Sequence, residues 1–96
     1  MKPYRDLKIG SLIQEELSKI ILKDFGAEGA LVTIVGVEIS PDLLQAKIKL
    51  GVVPSEKAPE IFRALERRQK EFQHKLLKKI NIKPMPQIRF QISDQK

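Results

Sequence analysis

Apolar residues near the start of the chain recur at intervals of three and four. Because an α-helix turns once in about 3.6 residues, this spacing places them on one face. The pattern predicts an amphipathic helix from about Arg5 to Asp24, ended by Gly26 and Gly29. The residues that set the spacing are Ile9, Leu12, Ile13, Leu17, Ile20 and Ile21.

Two later segments have the alternation that is typical of β-strands, and the second alternates more cleanly than the first. Ser40, Pro41 and Asp42 separate the segments and favour a turn, so the pattern predicts a β-hairpin. Turn formation explains Ser40 and Asp42 better than a role in a polar site. The first segment places on one face Thr33, Val35, Val37 and Ile39. The second places on one face Leu44, Ala46, Ile48, Leu50 and Val52, with Gln45, Lys47 and Lys49 on the other.

A long helical pattern runs from about Ser55, a candidate N-cap, to Ile80. Its apolar stripe lapses for about one turn at Arg68 and Gln69, so the helix either bends there or continues with a polar gap. The stripe favours two helical segments that meet near Arg68. The residues of the stripe are Ile61, Leu65, Phe72, Leu76 and Ile80.

The chain then offers one more strand, in which Ile88, Phe90 and Ile92 alternate with polar residues after Pro86. The predicted order is α-β-β-α-α-β. Three strands form one sheet, and the helices pack on one of its faces, which is an α+β fold. With 96 residues and no repeat or linker, we expect a single domain over residues 1–96.

Positive charge is concentrated in one part of the chain, although the net charge is only +6. Between Arg63 and Lys83 there are eight Lys or Arg residues, opposed only by Glu66 and Glu71. The rest of the chain has ten basic and ten acidic residues. Such asymmetry indicates a polyanionic partner such as RNA or DNA, the alternative being an ordinary solvated helix face.

The basic residues also have a helical spacing, which predicts an exposed stripe nearly opposite the apolar one. Cations facing solvent would neutralise phosphates and give strongly salt-dependent affinity. Few aromatic residues are present and none lies on an exposed strand face, so we expect recognition of backbone and shape. The stripe consists of Arg63, Arg67, Lys70, His74 and Lys78.

Catalytic chemistry is not expected from this chain. Cysteine is absent and His74 is the one histidine, which excludes thiolate sites and histidine clusters. Neither the phosphate-loop pattern nor the dinucleotide glycine fingerprint occurs. We therefore predict no enzyme activity, no cofactor and no metal. A cytoplasmic location is expected, since no apolar run approaches the length of a signal peptide or membrane span.

Three segments, in the right order, resemble the ribosome-binding factor A family. Residues 32–48, VTIVGVEISPDLLQAKI, are similar to the family signature V-T-x-V-x-V-S-x-D-L-x-x-A-x-V. Residues 5–17 resemble the family's first helix. Residues 86–90, PQIRF, resemble its closing strand.

The resemblance implies a type-II KH-like fold and a role in ribosome biogenesis. It implies binding to the small (30S) ribosomal subunit and its 16S rRNA during late maturation and rRNA processing, often linked to growth in the cold. No glycine follows Gly51, so the G-x-x-G clamp of ordinary KH domains is absent. Where the family has an A-x-G kink between helices, this chain has Arg68, Gln69 and Lys70.

The leading hypothesis is non-catalytic RNA binding by a monomer, with other assembly factors as further partners. The rival is a protein-interaction module that uses the apolar face of the first helix. DNA binding is a third option, weakened by the lack of helix-turn-helix spacing. The primary RNA candidates are Arg63, Arg67, Arg68, Lys70, Lys75, Lys78, Lys79 and Lys83; secondary candidates on the sheet are Lys47, Lys49 and Arg89, and a third group is Arg5 and Lys8.

Overall fold

The structure is a computed structural model that describes residues 3–26, 29–82 and 85–93, with side chains from Lys8 onward. The helices and strands follow the predicted order α-β-β-α-α-β, with one 3-10 turn added before the second helix. In chain order the elements are α1 (Pro3–Asp24), β1 (Leu31–Ile39), β2 (Gln45–Val53), a 3-10 helix (Ser55–Lys57), α2 (Ala58–Arg67), α3 (Gln69–Lys79) and β3 (Gln87–Ile92).

The three strands form one mixed sheet in the order β1-β2-β3. β1 pairs antiparallel with β2, and β2 pairs parallel with β3. The helices cover one face of this sheet, which confirms the predicted α+β architecture. The side chains of β2 and β3 that are buried on the helix face are Ala46, Ile48, Leu50, Val52, Ile88 and Phe90.

The amphipathic pattern of α1 is confirmed by its buried residues. Ile13 and Leu17 are fully inaccessible to solvent, and Ile20 and Ile21 are nearly so. They pack into one hydrophobic cluster with the sheet and the other two helices. No helix in the described ranges is long and apolar enough to cross a membrane.

The turn between β1 and β2 is built by the side chains of Ser40 and Asp42. The Ser40 hydroxyl donates to Asp42 Oδ1 at 2.6 Å, and the same oxygen accepts the Leu44 N–H at 3.0 Å. The Gln45 N–H donates to Ser40 Oγ at 3.0 Å. These bonds fix the entry into β2, which confirms the interpretation of both residues as turn formers.

The predicted single face of β1 is wrong because the strand contains a β-bulge. The register shifts between Ile34 and Gly36, so Val35 is the extra residue. Ile34 is buried, whereas Thr33 and Val35 are exposed. Beyond the bulge, Val37 is partly buried and packs against the core, as does Ile39. The alternation therefore changes face in mid-strand.

The break between the second and third helices is confirmed at Arg68. This residue has φ −104° and ψ 16°, outside the helical range, and it alone separates α2 from α3. The prediction of Ser55 as an N-cap is wrong. Ser55 lies in the 3-10 helix, and α2 begins at Ala58 without a side-chain cap, with Pro59 in its first turn.

Candidate nucleic-acid interface

The outer surfaces of α2 and α3 carry the predicted line of cations. The inner surfaces bury Ile61, Leu65, Phe72 and Leu76, so the opposite side of each helix must face solvent. All members of the stripe are exposed, and no carboxylate of the described residues lies within ion-pair distance of them. We call this surface the outer stripe; it consists of Arg63, Arg67, Lys70, His74 and Lys78, with Lys79 also exposed beside it.

Arg68 does not belong to the outer stripe, although it was a primary RNA candidate. Its Nε and Nη2 donate to the two carboxylate oxygens of Glu71 at 2.9 and 2.8 Å. Its Nη1 donates to the backbone carbonyl of Asp24 at 3.2 Å. The guanidinium carbon lies 4.8 Å from the ring centroid of Phe72. These contacts turn the side chain back onto the protein and hold the break between the helices.

Lys75, another primary RNA candidate, also contacts Asp24 and Glu71. Its Nζ lies 2.7 Å from Asp24 Oδ2 and 3.3 Å from Glu71 Oε2. We call Asp24, Arg68, Glu71 and Lys75 the junction network. The hydrogen bonds from Arg68 lower the pKa of Glu71 to about 2 against a desolvation cost, and Lys75 adds to the effect. The hydrogen bond to Asp24 raises the pKa of Lys75.

The polar gap in the apolar stripe has a structural cause that the sequence did not reveal. β3 is an edge strand, and α3 covers part of its free edge with two side-chain amides. Gln69 Nε2 donates to the Ile88 carbonyl at 2.8 Å, and Gln73 Nε2 donates to the Pro86 carbonyl at 2.9 Å. Gln73 Oε1 accepts the Ile88 N–H at 2.7 Å. The signal available was two glutamines spaced by four on a core-facing stripe.

The secondary candidates lie on the open face of the sheet. Lys47 and Lys49 are both near one carboxylate, with Nζ 3.9 and 3.7 Å from the oxygens of Glu38. Arg89 is exposed and lies beside Lys47 in the strand register. Glu38 thus partly neutralises two of these cations, so the positive charge of this face is weaker than that of the outer stripe.

The structure describes the remaining RNA candidates only in part. Lys8 is exposed on α1. Arg5 lies in α1, but its side chain falls outside the described residues, as does the whole of Lys83. The apolar face of α1, the basis of the rival hypothesis, packs into the protein's own core and does not offer a docking surface.

A family model described as "Ribosome-binding factor A" matches residues 5–96. The chain belongs to the ribosome-binding factor A family. Ribosome-binding factor A of Chloroherpeton thalassium is 36% identical over 93 residues, covering 94% of this chain and 74% of that protein. The Coprothermobacter proteolyticus protein of the same name is 30% identical over 95 residues, covering 98% and 69%.

Solved structures with this fold carry the same family name. The crystal structure of ribosome-binding factor A from Thermus thermophilus has a TM-score of 0.75 at 19% identity and covers 91% of this chain and 94% of its own. A solution structure of a Thermotoga maritima protein, provisionally assigned to the same factor, has a TM-score of 0.73 at 29% identity, with coverage of 95% and 90%. The three helices and the three-stranded mixed sheet therefore match the fold of these solved structures.

Proposed function

We propose that this protein is a non-catalytic assembly factor that binds the small ribosomal subunit through its 16S rRNA during late maturation and rRNA processing. Membership of the ribosome-binding factor A family supports a ribosomal partner. The observation that carries RNA as the ligand is the outer stripe, a line of exposed cations with no carboxylate partner in the described part of the chain. Such a protein acts in the cytoplasm, as one domain, without a cofactor.

The stripe suits a phosphate backbone better than a compact ligand. Its part on α3, from Lys70 to Lys78, alone extends over about 12 Å, at a helical rise of about 1.5 Å per residue, and Arg63 and Arg67 continue it on α2. That length spans several successive phosphates of one strand. Each ammonium or guanidinium that meets a phosphate releases condensed counterions, so affinity falls steeply with salt.

The choice of the small ribosomal subunit as the partner rests on a relative of this protein. A homology model of the Thermus thermophilus factor has been fitted into the cryo-EM map of a 30S complex, and its TM-score to this chain is 0.69. Its 18% identity to this chain supports the shared fold, and we extend its 30S partner to this chain as part of the proposal.

Neutralising the outer stripe tests the proposal. We expect the triple variant Arg67→Gln, Lys70→Gln, Lys78→Gln to lose co-sedimentation with small subunits in a sucrose gradient. On single-stranded rRNA fragments, the slope of log affinity against log salt falls by about 0.7 for each phosphate contact removed. Circular dichroism checks that the variant is folded, which we expect because all three side chains are exposed.

A matched variant removes the same charge from the sheet. Lys47→Gln, Lys49→Gln, Arg89→Gln also loses three positive charges, but two of these residues already share Glu38. We expect a smaller loss of affinity than from the outer stripe. Undiminished subunit binding by the outer-stripe variant, or equal losses from both triples, would contradict the proposed role of the stripe.

A further inference from the structure

A second cluster of lysine side chains lines a groove between α1 and α3. Five lysines line it, two from α1 and three from α3. Lys19 and Lys23, the two from α1, are not among the predicted RNA-binding residues, because their positions become neighbours of α3 only in the folded chain. We call this site the lysine groove; its cations are Lys19, Lys23, Lys75, Lys78 and Lys79.

The acidic residues of the groove are already neutralised by two of these lysines. Asp24 is bound by Lys75 at 2.7 Å, and Glu16 lies 3.7 Å from Lys19. The hydrogen bond from Lys75 is the largest cause of the lowered pKa of Asp24, with Lys23 adding a weaker electrostatic effect. Glu16 and Asp24 thus each have a basic partner at the groove.

Three lysines of the groove form no ion pair within the described ranges. No carboxylate of the described ranges comes within 4.0 Å of the Nζ atoms of Lys23, Lys78 or Lys79. All three side chains are exposed, and between the helices lies the buried side chain of Ile20. An apolar floor excludes water on one side, so an anion held there is screened less than on an open surface.

We propose that the lysine groove is a second phosphate-binding site for RNA, with Lys23 and Lys79 as ligands that the outer stripe does not contain. This inference rests on the proposed RNA-binding function. The groove is continuous with the outer stripe through Lys78, which belongs to both. Ammonium groups are compact charges that suit the non-bridging oxygens of phosphates. RNA that crosses α3 at Lys78 reaches the groove without leaving the protein surface.

Lysine acetylation footprinting of the intact protein tests the inference without any variant. The unmodified chain is treated with an acetylating reagent alone, with a single-stranded 16S rRNA fragment, with protein-free 16S rRNA, and with small subunits. Mass spectrometry then gives the protection at each lysine. Lys70 reports on the outer stripe and Lys23 and Lys79 on the groove, while Lys57, beside Gly29, serves as the reference.

Each pattern of protection decides a different point. Protection of Lys70, Lys23 and Lys79 by the RNA supports the groove, whereas protection of Lys70 alone overturns it and leaves the proposed function standing. Protection of the groove by subunits, but neither by the fragment nor by protein-free 16S rRNA, identifies a ribosomal protein as the ligand and overturns the inference. The absence of protection at every lysine overturns both proposals.

A pair of variants gives an independent readout. We expect Lys23→Gln, Lys79→Gln to reduce the salt slope of RNA affinity by about 1.4, from about 0.7 per phosphate contact on single strands. Lys57→Gln is the single-site reference and leaves the slope unchanged. A slope equal to that of the wild-type protein in the double variant contradicts a phosphate contact in the groove.

Discussion

Two side-chain amides, those of Gln69 and Gln73, satisfy backbone groups at the free edge of the sheet. An unpaired edge strand exposes backbone donors and acceptors that other chains can pair with. Here Gln73 satisfies one N–H and one carbonyl of the β3 segment, and Gln69 satisfies another carbonyl. A residue that interrupts an apolar stripe on one helix thus completes the hydrogen bonding of a distant strand.

The variant Gln73→Met, which places an apolar side chain at this position, is expected to lower the free energy of unfolding by about 1–3 kcal/mol. The cost arises because the part-buried Ile88 N–H loses its acceptor while remaining shielded from water. Urea denaturation followed by circular dichroism measures it. His74→Ala, an exposed neighbour on α3, serves as the control and should change stability by no more than about 0.5 kcal/mol.

At the scale of elements, the junction network fixes how α2, α3 and the end of α1 meet. Arg68 is the residue at the break, and it contacts Glu71 on α3 and the last residue of α1. The ribosome-binding factor A family usually has the small residues A-x-G at this kink. This chain has Arg68 there, and its long cationic side chain holds the break by ion pairing and by contact with an aromatic ring. The break therefore does not depend on glycine.

The network makes stability depend on pH in the acid range. Because the pKa of Glu71 in the folded protein is about 2, below its ordinary 4.5, its contribution is present above about 4.5 and is lost as pH falls towards 2. The lowered pKa of Asp24 acts in the same direction. We expect the melting temperature to fall over this range.

The variant Glu71→Gln should show a shallower fall in melting temperature between about pH 5 and pH 2, since its side chain does not titrate. Glu66→Gln is the control, because no basic side chain in the described ranges lies within ion-pair distance of Glu66. Parallel melting curves for wild type and Glu71→Gln across this range would show that the network does not stabilise the fold.

Across the whole molecule, Phe72 connects the layers beneath the charged surface. Its side chain is fully buried, and its ring packs edge-on against Phe25 and Phe90, with centroids 6.4 Å away in each case. The same α3 that presents cations to solvent thus inserts the central aromatic side chain of the core. Charge on one side and burial on the other fix the helix in one orientation.

Removing that ring is expected to destabilise the whole protein. Phe72→Ala should lower the free energy of unfolding by about 3–5 kcal/mol through lost transfer energy and the remaining cavity. That is a large part of the roughly 5–15 kcal/mol typical of a domain. Phe62→Ala, at a half-buried position, should cost less. Chemical denaturation compares the two; equal losses would contradict the central role of Phe72.

Local patterns in the sequence determined the order of the elements and, except in β1, their buried sides. The alternation in β2 and β3, the helical spacing in α1 and the turn chemistry of Ser40 and Asp42 each act over a few neighbouring residues. The exposed outer stripe follows from the same local rule, because charges opposite an apolar stripe must face solvent. The family resemblance came from segments of this kind too.

Tertiary structure alone decided which charges meet Asp24. Arg68 and Lys75 carry the same charge as Arg67 and Lys78, yet the fold brings Asp24 to the first pair, which Glu71 also binds from three and four positions away along the chain. It likewise brings Lys23 beside Lys79, more than fifty positions along the chain. The bulge at Val35 and the amide cover of β3 likewise depend on contacts between different elements of the fold. The spacing of residues along a helix or strand specifies which face they occupy. Their ion pairs, and the cover of a sheet edge, depend on which residues the fold places opposite that face.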